Sequence, residues 1–360
     1  MKKLIMVLLL LPFFSVTACA ELDIGIDMSG LESALPEETR SLSGELVLDG
    51  EYDSTGALQR LWTGFCRRFS ESLNEEWRTI FGVAAISLFS AAAASVCPVK
   101  KTADYIHIAS CAVAALLLTD GLDSMVSRSV SAIDQLSDYS KAAMPALFTA
   151  AAASGAAISA PARYGAVCLA LDVMISLSKR LLIPLIYTFL AVIISAGLFP
   201  HPILSGVSKL LKRFIVLMMT ATTMIFTAFI GITGIVTAST DAAAVKTAKT
   251  VISAAFPIVG GILSDAAGSV LSAASVVRNA AGAFCLVAVC ALCLGPFAVL
   301  SVKLLLFRLA AAVSDMVPGS QLSALLDQMA SVMAMLLGLV GSYGLMLFFS
   351  FVSAIRVVTP

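Results

Sequence analysis

The chain has 360 residues, of which 59% are hydrophobic and only 13% charged, with 23 Lys/Arg against 23 Asp/Glu. A typical soluble domain carries roughly 25% charged residues, and a water-exposed surface of this size would demand them. A mean hydropathy of +0.98 therefore points to a chain whose solvent is lipid, and the absence of net charge and of a basic cluster argues against nucleic acid as a partner.

The zero balance hides an asymmetry. Between Glu21 and Arg78 there are 13 acids against 5 bases, whereas Thr79 to Pro360 holds 10 acids, all Asp, against 16 bases. Glu76 is the last glutamate. Residues 1–20 read as an export signal, with Lys2 and Lys3, an apolar run from Ile5 to Phe14, and Ala18-Cys19-Ala20 as a small-x-small cleavage pattern. Val16-Thr17-Ala18-Cys19 also fits a lipoprotein signal acylated on Cys19, and retention as an anchor is a third outcome. All three place residues 21–78 outside the cytoplasm. That segment reads as flexible to about Thr55, then as an amphipathic helix over Leu58–Arg78, with Leu58, Leu61, Phe65, Phe69 and Leu73 at helical spacing and Trp62 and Trp77 suited to an interface.

The polytopic remainder, 79–360, carries seven apolar runs in order: Thr79–Cys97, Tyr105–Thr119, Ala142–Ala160, Leu181–Phe199, Phe214–Thr237, Ala280–Val302 and Val332–Ile355. Each long run approaches the about 20 residues a helix needs to cross a bilayer, where unpaired backbone polar groups are costly. The expected fold class is thus all-α: a polytopic helical membrane protein with about seven transmembrane helices and several interfacial amphipathic helices. Tyr164–Ser178 reads as a further short span or an interfacial helix. Seven crossings from an outer N-terminus put Lys100, Lys101, Arg163, Lys179, Arg180, Lys246, Lys249 and Arg356 on the cytoplasmic side, as positive bias expects; Lys209, Lys212 and Arg213 do not fit.

Between the runs, Leu122, Met125, Val126, Val130, Ile133 and Leu136 form one apolar stripe, with Arg128, Asp134 and Asp138 elsewhere on the helix. Residues 262–279 invert this, with a thin polar stripe of Ser264, Gly268, Ser272, Ser275 and Asn279 beside Asp265 and Arg278. Such a helix lies flat in the interface, lines a wet passage, or packs on a partner. Gly338, Gly341 and Gly344 recur every three residues in the last run, as close helix approach requires.

Catalytic chemistry is poorly represented. His107 and His201 are far apart without carboxylate-rich motifs, Cys290 and Cys293 lie mid-run without a second ligand pair, and there is no phosphate-binding loop. No enzyme, metal or cofactor is expected. Charges near membrane depth usually pair, snorkel or face water. On that ground Asp265 is a functional candidate, while Lys303 and Arg308, near a helix end, either snorkel or serve a partner contact or pathway role.

Four stretches, in this order, resemble the stage III sporulation protein AE family of endospore-forming bacteria: Thr237–Lys249, Phe256–Asp265, Ser275–Gly282 and Lys303–Val313. The resemblance is most specific over 230–315 and rests on Asp241, Lys246, Thr247, Lys249, Pro257, Gly260, Asp265, Arg278, Asn279 and Lys303. It implies a multi-pass component of the mother-cell membrane around the forespore, within a secretion-like channel complex. The implied partners are other products of the stage III operon, including the cytoplasmic AA ATPase and the ring-forming AG and AH proteins, with stage II sporulation protein Q approaching from the forespore. It implies no catalytic role. Asp241, Lys246, Lys249, Asp265, Arg278, Asn279 and Lys303 are the expected assembly or pathway residues. The alternative function is a stand-alone secondary transporter, with a discontinuous helix around Pro257–Gly261.

Overall fold

Lipid leaves a chain no water to satisfy its peptide groups, so long apolar runs close their hydrogen bonds within themselves as helices. The computed structural model follows this rule throughout the residues it describes, 33–43, 54–96, 100–156, 159–199, 201–255, 260–316 and 321–355; the side chains of 234–277 are outside the description, as is the expected export signal. In chain order the helices are α1 (Glu37–Ser43), α2 (Ser54–Val96), α3 (Lys100–Ala151), α4 (Ser159–Leu177), α5 (Ile183–Leu198), α6 (Pro202–Ala255), α7 (Gly260–Asp315) and α8 (Gln321–Ile355). A π-helical turn, Ala152–Ala156, follows α3, and a second, Ser178–Leu182, joins α4 to α5. In the second, the Ile183 N–H reaches the Ser178 carbonyl, five residues back, just before Pro184, which has no N–H to offer.

Five stretches among the described residues are long and apolar enough to cross a membrane: Ile108–Ser154, Ala160–Leu198, Pro202–Thr233, Arg278–Asp315 and Leu322–Ile355. The all-α polytopic class is thereby established. The seven expected runs, however, lie on fewer and longer rods. Tyr105–Thr119 and the start of Ala142–Ala160 share α3, because the amphipathic stretch between them is itself helical. Ala142–Ala160 is no single span, since α3 ends inside it and α4 departs antiparallel, with Phe148 against Tyr164 and Met144 against Cys168. Tyr164–Ser178 is not a separate helix, because the π turn carries it straight into Leu181–Phe199.

Contacts between helices fix a common register. Gly344 of α8 faces Cys293 of α7, and Gly282 of α7 faces Ile355, so these two helices run antiparallel. Leu61 of α2 packs with Val287, Ala291 and Leu294, and Glu76 meets Lys303, so α2 runs parallel to α7. Met219 of α6 faces Gly338 and Lys212 meets Ser331, so α6 runs parallel to α8. The start of α2, the α3–α4 reversal and Ile355 therefore gather at one end, and the start and end of the helical body share that end rather than lying at opposite ends as seven crossings would put them. Beyond it continue only the second part of α6, past Thr233, and 260–277 of α7 among the described helices. These two stretches hold most of the family-like residues.

The core is the α7–α8 hairpin. The apolar windows of α7 and α8 are 61% and 67% buried inside the bundle, against 22% for α6, so the apolar character of α7 and α8 serves packing against protein while α6 keeps an outward apolar face. The glycine stripe also resolves differently from expectation. Gly338 lies under Met219 of α6 whereas Gly344 lies under Cys293 of α7, because six residues on a helix of 3.6 per turn are about 120° out of phase. The glycines admit two different neighbours. Near the N-terminus, the stretch expected to be flexible contains α1, begun by the Pro36 carbonyl accepting from the Thr39 and Arg40 N–H groups (both 2.9 Å) and seated by Leu42 against Gly64 of α2. Both tryptophans are exposed on α2, as an interface would have them.

A Cβ on Gly344 would stand 2.8 Å from Cys293 Sγ, whereas one on Gly231 meets nothing within 4 Å. Gly344→Leu is therefore expected to destabilise the protein by about 1–3 kcal/mol through overpacking, seen as a lower unfolding midpoint in non-ionic detergent. Gly231→Ala should leave that midpoint unchanged or raise it slightly.

Candidate functional site

An isolated charge inside a bundle or bilayer costs several kcal/mol unless paired, so the buried cations show where the fold has invested polar partners. Lys303 lies within α7, far from either helix end, and its side chain is 9% exposed. Its Nζ donates to Glu76 Oε1 at 2.9 Å, and Glu76 is itself only 22% exposed. Gly121 of α3 leaves the room: a Cβ there would stand 3.4 Å from Lys303 Nζ. The Lys303 ammonium is thus engaged within the chain, by a carboxylate on α2. Arg308 pairs with Asp327 across the α7–α8 turn with both side chains half exposed, where an ion pair contributes at most about 1 kcal/mol.

Two arginines are buried against serine hydroxyls. Arg278, 1% exposed, donates from Nη1 to Ser154 Oγ at 2.7 Å, and Ser154 donates in turn to the Ala151 carbonyl at 2.9 Å. Arg163, 4% exposed, donates from Nη2 to Ser353 Oγ at 2.5 Å. Ser154 lies in the turn that ends α3, and Ser353 lies in the last turn of α8. The carbonyls at a helix C-terminus carry partial negative charge, worth about 0.3–1 kcal/mol to a cation when exposed and up to about 2 when partly buried. Each arginine thus sits at the negative end of a different long helix. The Nε of Arg278 has no hydrogen-bond partner among the described residues.

Three further clips tie helices together. Lys212 of α6 donates to Ser331 Oγ of α8 at 2.7 Å. Lys179, in the second π turn, pairs with Asp134 of α3. Tyr187 of α5 donates to Asp123 Oδ1 of α3 at 2.9 Å. The amphipathic stripe of α3 packs as its spacing predicts, with Leu122, Met125, Val126, Ile133 and Leu136 all buried.

Of the expected site residues, Arg278, Asn279 and Lys303 fall on α7 with Asp265, while Asp241, Lys246 and Lys249 fall on α6. The side chains of Asp241, Lys246, Lys249 and Asp265, like that of His107, lie outside the described residues. Arg278 and Lys303 do not meet: 25 positions along one helix separate them, about 37 Å at 1.5 Å per residue. They are two separate polar centres. Asn279 is half-buried beside Arg278. The partners Glu76, Ser154 and Ser353 were not among the expected site residues, although Glu76, the last glutamate at the edge of an uncharged run, carried a signal. Cys290 and Cys293 are free thiols within the apolar packing. Among the described residues no three His, Cys, Asp or Glu side chains cluster as metal ligands would. His201, exposed, starts α6, its carbonyl accepting from the Leu204 N–H at 3.0 Å.

The model of the stage III sporulation protein AE family matches residues 45–358. Stage III sporulation protein AE of Bacillus subtilis (strain 168) is 23% identical over 237 residues, which cover 65% of this chain and 59% of that protein, less than two thirds of its length. No solved structure matches the chain.

Removing one member of a buried ion pair leaves the other charge uncompensated. Glu76→Gln is expected to destabilise the protein, by less than the about 3–5 kcal/mol of a fully buried pair because Glu76 keeps some access to water. The double variant Glu76→Leu/Lys303→Met should recover most of the loss, as thermal unfolding in detergent would register. Equal melting of the single variant and the parent would mean that the pair carries no weight.

Proposed function

Since the chain belongs to the stage III sporulation protein AE family, we propose that it is a non-enzymatic integral-membrane component of a secretion-like channel complex linking mother cell and forespore, needed for forespore development. The family match across 45–358, on a bundle with five stretches of membrane-crossing length, carries this reading. Energy for transport would come from another subunit, because the sequence holds no nucleotide-binding loop. The partners it would assemble with are the AA ATPase, the AG and AH ring components and other membrane products of the same operon, in the mother-cell membrane around the forespore. Residues 234–255 of α6 and 260–277 of α7 extend beyond the end of α8 and contain Asp241, Lys246, Lys249 and Asp265, which makes those extensions the first place to look for those contacts.

Deleting the gene in its own host is expected to abolish heat-resistant spores, and a wild-type copy should restore them. A tagged copy should bring down the AA and AG proteins from detergent extracts, and Lys249→Ala or Asp265→Ala should weaken that recovery without changing membrane levels. Normal sporulation of the deletion strain would overturn the reading. So would solute movement by the purified chain alone in liposomes, which the secondary-transporter alternative requires.

A further inference from the structure

Lys209, Lys212 and Arg213 do not fit the positive charge bias. They stand at i, i+3 and i+4 near the start of α6 and so share one face. Lys209 and Arg213 are exposed, while Lys212 is half-buried with its Nζ on Ser331 Oγ. No ion pair among the described residues reaches any of the three; Asp327, which the α6–α8 register puts at the same level, is engaged by Arg308. Among the described residues these three neighbouring cations therefore have no counter-anion.

The adjoining surface of α6 is apolar and open. Leu210 is 69% exposed, Leu217 61%, Met224 66%, Ile225 61% and Ile232 64%, with Phe214 at 42%. From Phe214 to Thr233 the helix bears no charge, a length of about 30 Å at 1.5 Å per residue, which equals the hydrocarbon thickness of a bilayer, about 30 Å. The helix thus offers cations at one end of a stripe as long as a hydrocarbon core is thick. A small soluble anion has no use for the stripe, and a neutral lipid has no use for the cations.

We propose that Lys209, Lys212 and Arg213 bind the phosphate of an anionic phospholipid whose acyl chains lie along the exposed face of α6. Basic residues at the membrane surface attract anionic lipid with about fivefold in affinity per charge. The exposed Lys209 and Arg213 supply attraction and exchange, while Lys212, tethered to α8, fixes where the headgroup sits relative to the core.

The test uses the full-length protein in non-ionic detergent, titrated with phosphatidylglycerol, phosphatidylcholine or inorganic phosphate, with bound lipid counted by native mass spectrometry. Phosphatidylglycerol should be retained at least tenfold better than phosphatidylcholine, and inorganic phosphate should not displace it. Lys209→Gln and Arg213→Gln should each weaken retention about fivefold and together about 25-fold, while Arg128→Gln, an exposed cation on α3, should change nothing. The double variant touches only exposed side chains, so its melting should match the parent. Equal retention of both lipids, displacement by phosphate, or an equal loss in Arg128→Gln would each overturn the proposal. Unchanged phosphatidylglycerol retention in a correctly folded double variant would do so as well.

Discussion

The packing of α7 on α8 sets the axial position of every other helix, because each of the others finds its level against one of these two. Gly344 under Cys293 and Gly282 under Ile355 hold the hairpin in antiparallel register. Once that register is set, α2 is fixed against α7 by Leu61 and Glu76, α6 against α8 by Met219 and Lys212, and α3 against both by Gly121 and by the Tyr139–Phe351 ring contact at 6.2 Å. Glycine permits this where bulk would not, since a larger side chain at position 344 would force the helices apart.

On that frame the cations fall into two classes by what compensates them. Lys303, Lys179 and Arg308 have carboxylates on other helices or across a turn. Arg278 and Arg163 have a serine hydroxyl and the C-terminal end of a long helix. A helix terminus supplies only partial charge, so its attraction for an arginine is weaker than that of a full ion pair. Ser154 does more than fill space, since it relays a buried guanidinium to the Ala151 carbonyl at the end of α3.

Composition and run length made the all-helical, membrane-embedded class legible, and the apolar stripe from Leu122 to Leu136 marked the buried face of α3 correctly. The number and limits of the rods were less legible, for a physical reason. Hydropathy cannot tell a run that crosses from one that turns, and Ala142–Ala160, small and featureless, contains a reversal. Nor does a charged interval end a helix when its charges share a solvent face, as Asp123, Arg128 and Asp138 do on α3. Lys303 could be named from sequence because a lysine between Val302 and Leu304 stands out. Its partner Glu76 is 227 positions away, and only the parallel register of α2 and α7 brings them together.

That register also separates apolar runs of similar composition. Because Glu76 meets Lys303, the uncharged stretch of α2 after Arg78 lies alongside the charged end of α7, while the uncharged stretch of α7 before Lys303 lies alongside the charged start of α2. The runs are staggered along the bundle rather than gathered at one level. α7 and α8, more than half buried in their apolar windows, owe their hydropathy to the protein core. α6, equally apolar but largely exposed, owes its own to whatever surrounds the bundle. Similar hydropathy therefore hides opposite roles, and among the membrane-length stretches α6 is the least covered by the rest of the bundle. Continued past Thr233, the same helix leads into the family's most recognisable residues, so its outward face and its extension beyond the core belong to one continuous rod.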